Sequence, residues 1–446
     1  MTGAGAPRES GGGDRRRLRL AVVVQRYGAD INGGAEQHAR YIAELLSSHA
    51  DVRVLTTCAR DYVTWRNEFR PGEERLAGVT VERFAVSRER DIFDFARRSA
   101  RVFHHRHSLQ QELDWLKSEG PVSPALLGRL RSAGDEFDFV LLFSVRYFQA
   151  YHGARAVPHR AILVPTAERE ESLGLALFQP IFRGVRAIMY NSPEERAVIQ
   201  QLSGNHHVPG VVVGVGSRIP AQVDPDRVRE KFGLHNPFVI YVGRIDTNKG
   251  CAELFDYFVQ YAQGASDPVD LVLIGNPVLP VPQHPRIRHL GYVTDADKFD
   301  AIAASTMLVM PSYYESLSMV ALEAWALGRP VLANARCDVL LGQALRSNAG
   351  LYYENAREFA AALALLRGDT RTAAAMGENG RTYFRRHYDW PVIEQRYVEM
   401  FDRLLQDPPL HRMEPLPGIL ARHRRDIPAA AAVLAAVAAG PIRDGL

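Results

Sequence analysis

The sequence predicts an α/β protein of two doubly wound domains facing each other across a cleft. Three observations predict it. The chain has 446 residues, too many for one compact core when domains typically run ~100–200 residues. Short apolar, β-branched runs alternate with helical patterns almost throughout, as βαβ units and parallel sheets require. The alternation also comes as two series, separated by the Gly-, Pro- and Val-rich stretch "VPGVVVGVGSRIPAQVDPD" at 208–226.

The first series places strands at "LRLAVVV" (18–24), "VRVLTT" (52–57), "VTVERF" (79–84), "FDFVLLFS" (137–144), "RAILVP" (160–165) and "RAIMYNS" (186–192). Between the first two lies the amphipathic pattern "GGAEQHARYIAELLSSH". After the last comes "SPEERAVIQQLS", with Ser192 as N-cap and Pro193 at the first helical position. This gives a first Rossmann-like domain over 18–217, interrupted by a helical insertion at 91–134. The insertion carries the basic, aromatic run "FDFARRSARVFHHRH" at 93–107. Such a run suits either contact with an anionic membrane surface or a polar acceptor, or a solvated Arg-rich face packed by its phenylalanines, and composition favours the last.

The second series, "FVIYVGR", "DLVLIGN", "IRHLGYV", "MLVMPS" and "PVLANA", gives a second Rossmann-like domain over 218–388. A terminal amphipathic helix, "WPVIEQRYVEMFDRLLQ", fills 389–406 with Pro391 at its start. The first 17 residues read as a flexible leader, and 407–446 as a tail whose "AAAAVLAAVAAG" falls short of the ~20 residues that span a bilayer.

Composition bounds the function. At 46% hydrophobic and 24% charged residues the chain can build full cores. Its formal charge of +3 offers no bulk polycation, so no nucleic-acid partner is expected and any anion site must be local. Four of the 54 basic residues are lysines (Lys117, Lys231, Lys249 and Lys298), so each lysine is worth inspecting. Cys58, Cys251 and Cys337 lie far apart, without zinc or disulfide spacing. A cytoplasmic location is expected, with 93–107 as the candidate for peripheral contact with the inner membrane face.

Two stretches of the second domain carry the chemistry. In "VGRIDTNKG" a strand ends at Gly243 and delivers Arg244 and Lys249 to the carboxyl edge of the sheet, where open α/β sheets bind ligands. A guanidinium fork and an ammonium point charge together suit a diphosphate. The plain alternative is a surface Arg and Lys in a βα loop. In "PSYYESLSMVALEAWALGRPV" (311–331), Glu315 follows a strand, Ser316 or Ser318 caps a helix, Glu323 lies inside it and Gly328 stops it. Free N–H groups at such a start hold a phosphate or a sugar edge. Glu323, ~8 Å further along at 1.5 Å per residue, can accept both hydroxyls of a ribose.

The whole string resembles the E-x7-E signature of the family-four glycosyltransferases of GT-B fold. Other pieces fall in that family's order: "GADINGGAEQHARYIAELL" is similar to its Gly-rich loop, "VGRIDTNKG" to its Arg and Lys pair, "HLGYV" to its base-facing segment, "VVVGVG" to its linker and "DWPVIEQRYVEMF" to its last helix. The resemblance covers about 18–406. It implies a retaining transfer of sugar from a nucleoside-diphosphate sugar to a glycan or small-molecule acceptor hydroxyl, in glycan, polysaccharide or glycoconjugate biosynthesis. It further implies that Gly33, Gly34, Gly243, Val293, Ser316, Leu317, Ser318 and Glu323 bind the donor, with Glu315, Arg244 and Lys249 at the reacting bond. No cofactor and no metal is expected, because two cations and a helix start can neutralise the leaving diphosphate. The one DxD-like match, "TDADKF" (294–299), reads as a helix start capped by Thr294.

One departure stands out. Where family members often carry a histidine after the strand "RAILVP", this chain reads "TAERE", with Glu168 nearest the expected position and Arg169 and Glu170 as alternatives. A carboxylate accepts hydrogen bonds or serves as a base, but cannot donate as imidazole does. That change supports a second reading, an inactive GT-B protein that binds nucleotide sugar or glycan as a partner subunit. A dehydrogenase would need G-x-G-x-x-G after the first strand, and "YGADINGGAE" lacks it.

Overall fold

The computed structural model describes residues 16–31, 33–132, 136–409, 412–416 and 430–437. Two sheets organise them. The first has eight strands in the order β3-β4-β2-β1-β5-β6-β7-β8: β1 Leu18–Val23, β2 Ala50–Thr57, β3 Gly72–Leu76, β4 Val79–Phe84, β5 Phe139–Phe143, β6 Ala161–Val164, β7 Ala187–Tyr190 and β8 Gly210–Val212. All pairings are parallel except the β3/β4 hairpin at the edge. The second has six parallel strands in the order β11-β10-β9-β12-β13-β14: β9 Phe238–Val242, β10 Asp270–Ile274, β11 Ile287–His289, β12 Met307–Met310, β13 Val331–Asn334 and β14 Gly350–Tyr353.

Each sheet is apolar on both faces because helices cover both. In β1, Leu20 and Val22 enter one core cluster while Ala21 and Val23 enter the cluster on the opposite face. In β9, Phe238 and Ile240 alternate with Val239 and Tyr241 in the same way. Three strands had no place in the sequence reading. β3, "GEERL", is an exposed polar edge without alternation. β8 is three residues long, and it pairs with β7 inside what reads as interdomain linker. β14 has only four residues.

The segment 91–134 forms the helices Ile92–His104, Leu109–Glu119 and Pro124–Ser132. Asp91 caps the first and Ser108 caps the second with a full capping box. Phe95 and Phe103 turn inward onto Trp115, with ring centroids at 6.5 and 5.6 Å, and Arg98 pairs with Asp94 at 2.7 Å. The packed-helix alternative accounts for most of this run; Phe93 is the exception, 81% exposed.

The helix Trp390–Gln406 crosses back to the first domain, where Ile393, Tyr397, Met400, Phe401 and Leu404 complete one face of its core. At roughly 1.5–3 kcal/mol per buried large side chain, this seam ties the two domains into one unit. Within the tail, Met413 packs on Gly184 and Ala430–Val437 is a helix. The leader up to residue 15 lies outside the described residues. Among the described residues no helix is long and apolar enough to cross a membrane.

Candidate active site in the interdomain cleft

The carboxyl ends of both sheets face a cleft of about 830 Å³. Its first-domain wall includes Gly34, His38, Thr166, Glu168 and Asn191, and its second-domain wall Gly243, Lys249, Tyr292, Lys298, Ser312 and Glu315 to Val320.

After β9 the chain turns at Gly243 (φ +153°), where an added Cβ would meet the Tyr241 hydroxyl at 2.9 Å. Asp246 then organises the loop. It accepts the Lys249 backbone N–H at 2.8 Å and pairs with the Arg244 Nε. Gly250 opens the following helix, Cys251–Gly264, at φ +69°. Any Cβ there would lie 2.0 Å from the Pro311 carbonyl oxygen. Gly250→Ala therefore should cost at least the ~1–3 kcal/mol of a left-handed non-glycine residue, read as a lowered midpoint in thermal unfolding; an unchanged midpoint would contradict the close approach.

Lys249 reaches across to the other motif. Its Nζ lies 2.8 Å from Glu315 Oε1. Burial works against its charge, but the Glu315 and Glu168 carboxylates outweigh that and hold it above its usual range. Glu168 is half-buried on the opposite wall. Burial pushes its carboxyl up to about 7, with Glu315 and Glu170 adding to the rise and Lys249 and Arg146 opposing it. Of the three candidates in "TAERE", Glu168 alone faces the cleft: Arg169 pairs with Asp338 at 3.2 Å, and Glu170 with Arg146 at 2.6 Å.

The helix of the second motif is Met319–Ala326, capped by Ser318 in a left-handed conformation (φ +68°) with its Oγ on the Ala321 N–H. Ala321 and Ala324 are fully buried, which lets the helix settle close against the sheet. Glu323 is 2% exposed. Its Oε1 accepts from Ser217 at 2.8 Å and from Lys298 Nζ at 3.0 Å. Its Oε2 is buried with no partner among the described residues, as are Ser312 Oγ and Asn191 Oδ1, whose residues line the cleft. Buried polar groups are normally paired, so the Ser312 and Asn191 oxygens on the cleft wall fit a polar ligand, while Glu323 lies one layer behind, outside the lining itself.

Other expected residues stand differently. Arg244 does not line the cavity: its Nη1 donates to the Tyr62 hydroxyl of the first domain at 2.7 Å while Asp246 holds its Nε. Gly33 caps the helix Gly34–Leu46, and it is crowded by Glu36, itself paired with Arg26 at 2.7 Å, so Gly34 is the glycine on the cleft. Val293 packs toward the core and its neighbour Tyr292 reaches the cleft instead. Leu317 is 3% exposed and belongs mostly to the core, while Ser316 Oγ accepts from Asn191 Nδ2 at 3.4 Å across the cleft. Thr294 caps the helix Asp295–Ala304, and Asp297 is taken by Lys231 at 2.8 Å. Among the described residues no group of His, Cys, Asp and Glu is arranged to hold a metal ion. Tyr62, Ser217, Asn191 and Lys298 were not singled out as site residues by sequence reasoning. Only Lys298 left a signal, as one of four lysines.

Residues 236–369 match the family described as Glycosyl transferases group 1. Over 180 residues the chain is 25% identical to the N,N'-diacetylbacillosaminyl-diphospho-undecaprenol alpha-1,3-N-acetylgalactosaminyltransferase of Campylobacter jejuni, covering 38% of this chain and 46% of that protein. It spans less than half the length of the curated relatives it matches. Among solved structures, sucrose-phosphate synthase from Thermosynechococcus elongatus superposes with a TM-score of 0.63 at 16% identity, over 87% of this chain and 100% of that one. HepE from Anabaena in complex with UDP-glucose superposes with a TM-score of 0.62 at 17% identity, again over 87% and 100%. The chain thus has the GT-B fold, and its second domain carries a Glycosyl transferases group 1 match.

Proposed function

We propose that this protein is a retaining glycosyltransferase that moves a sugar from a nucleoside-diphosphate sugar to an acceptor hydroxyl in glycan or glycoconjugate assembly. The observation that carries the proposal is the cleft-facing Lys249–Glu315 pair at the second sheet's carboxyl edge, with the unpartnered Oε2 of Glu323 in the same motif. A protein of the same fold holding UDP-glucose supports a nucleotide-sugar donor.

In this proposal the ribose hydroxyls bind Glu323 Oε2, and the diphosphate lies between Lys249, the helix start at Ser318 and the backbone at Gly34. Arg244, released from Tyr62, adds a second cation. Glu315 and Glu168 receive the sugar's hydroxyls. As the C1–oxygen bond to the diphosphate breaks, charge grows on the leaving oxygen, where Lys249 stabilises it most. The acceptor oxygen bonds to C1 on the face the diphosphate leaves, and the departing phosphate takes its proton. No step draws on a metal.

Glu168 gives a pH signature. With its carboxyl at about 7, it is mostly protonated below that pH and charged above. If the charged form is the working one, turnover climbs as pH rises through about 7. Glu168→Gln should flatten that limb and lose about tenfold, less than the ~10²–10⁴ of a positioned acid or base because the departing phosphate takes the proton. A pH–rate profile of both proteins checks this; matching profiles would make Glu168 a bystander.

A thermal-shift screen of nucleotide sugars tests the donor assignment, since a ligand that binds only the folded state raises its stability. Binding without release of nucleoside diphosphate would favour the partner-subunit reading. For the membrane, exposed Phe93 with Arg97 and Arg101 is the part of 93–107 that suits an anionic surface. Flotation with anionic vesicles should lose the Phe93→Asp variant, and equal flotation would remove the contact.

A further inference from the structure

The loop that carries Glu168 is held more firmly than a surface connection needs. Thr166 sits at φ +47° and Ser144, at the end of β5, at φ +62°, both left-handed non-glycine positions. Such residues cost ~1–3 kcal/mol each and persist only where their surroundings fix them. The Thr166 hydroxyl donates to Ser144 Oγ at 2.8 Å. On the far side of Glu168, Glu170 accepts from Arg146 at 2.6 Å and from Ser172 at 2.7 Å.

Between these lies Glu195, 1% exposed in the helix Pro193–Ser203. Its two oxygens accept from two different segments: Oε1 from the Ala167 N–H at 2.6 Å, and Oε2 from the Asn191 N–H at 2.5 Å. The helix does not need this carboxylate as a cap, because Ser192 Oγ already accepts from the Glu195 N–H at 3.1 Å. A buried carboxyl is expensive: burial pushes it up, while the two amides pull it down and favour the charged form, which can accept from both. Asn191, whose backbone it grips, also spans the cleft to Ser316.

We propose that Glu195 is a positioning residue that pins the loop after β6 to the end of β7, so that Glu168 faces the donor sugar; this rests on the role assigned to Glu168 above. Gln at 195 offers one acceptor for two N–H donors, so one tether is lost. Placement errors of ~1 Å can cost ~10² in rate, and one lost tether of several should cost about tenfold in kcat with little change in the donor KM.

The test combines two measurements on wild type, E195Q, E168Q and the double variant. Hydrogen exchange of the full chain needs no substrate: in E195Q the amides of 166–170 should exchange faster while the β-strands keep their protection. Release of UDP from UDP-glucose, or of the nucleoside diphosphate from whichever screened donor is active, should fall in E195Q yet show no further loss when E195Q is added to E168Q. Unchanged exchange at 166–170 would overturn the proposal, as would the same fold-loss from E195Q in both backgrounds. Wild-type turnover in E168Q would overturn the reading of Glu168 and this inference together. Should E195Q not fold, E195D, which keeps the charge but is too short to reach both amides, takes its place under the same criteria.

Discussion

Lys249→Ala is expected to lower turnover by about 10²–10³-fold, the loss seen when one donor that stabilises a developing oxyanion is removed, while donor affinity changes only a few-fold. The asymmetry follows from where the charge grows. In the ground state the diphosphate charge is already spread over several oxygens, but bond breaking concentrates it on the leaving oxygen beside Nζ. Lys249 also neutralises Glu315 and Glu168. Removing it leaves the Glu315 carboxylate unneutralised close to an incoming anion and pushes Glu168 further toward its neutral form, both of which add to the loss in rate. Arg244→Ala should fall in the same direction by less, because its partly exposed guanidinium is shared between Asp246 and Tyr62. Steady-state kinetics separates the cases: a change confined to KM would mean that these cations bind ground and transition states equally.

Glu323→Ala is expected to weaken nucleotide binding by about 1–3 kcal/mol, because ribose hydroxyls left unpaired in a closed site lose their hydrogen-bond partner. Glu323 Oε2 is buried and unpartnered among the described residues, whereas Oε1 is already engaged by Ser217 and Lys298. Glu323→Gln should lose less, since its amide still offers an acceptor. Calorimetry with UDP checks both, and wild-type affinity in the alanine variant would remove Glu323 from the ribose.

The fold was legible where strands are buried on both faces. β5, β9 and β12 read as continuous apolar runs, as strands of a parallel sheet covered by helices on both faces do. β3 was not legible because an exposed edge strand needs no apolar pattern, and β8 and β14 because three or four residues are too few for one. Within the site, caps and glycines were readable, since Ser318, Thr294 and Gly328 obey local backbone rules. Side-chain destinations were not. That Arg244 turns to Tyr62, 182 residues away in the chain, and that Ser217 meets Glu323, depend on how the two domains face each other. Glu195 was hidden for a similar reason: in sequence it is an ordinary first-turn glutamate, and only the fold brings Ala167 to its carboxylate.

A panel of nucleoside-diphosphate sugars is incubated with the protein, a candidate acceptor and EDTA, and followed by proton NMR. One donor is expected to lose its anomeric signal while the matching nucleoside diphosphate appears and the new linkage keeps the donor's anomeric configuration, all of it slowed about 10²-fold or more in Lys249→Ala. A donor that binds yet stays intact across the acceptor panel, or a product with inverted configuration, would contradict retaining transfer from a nucleotide sugar.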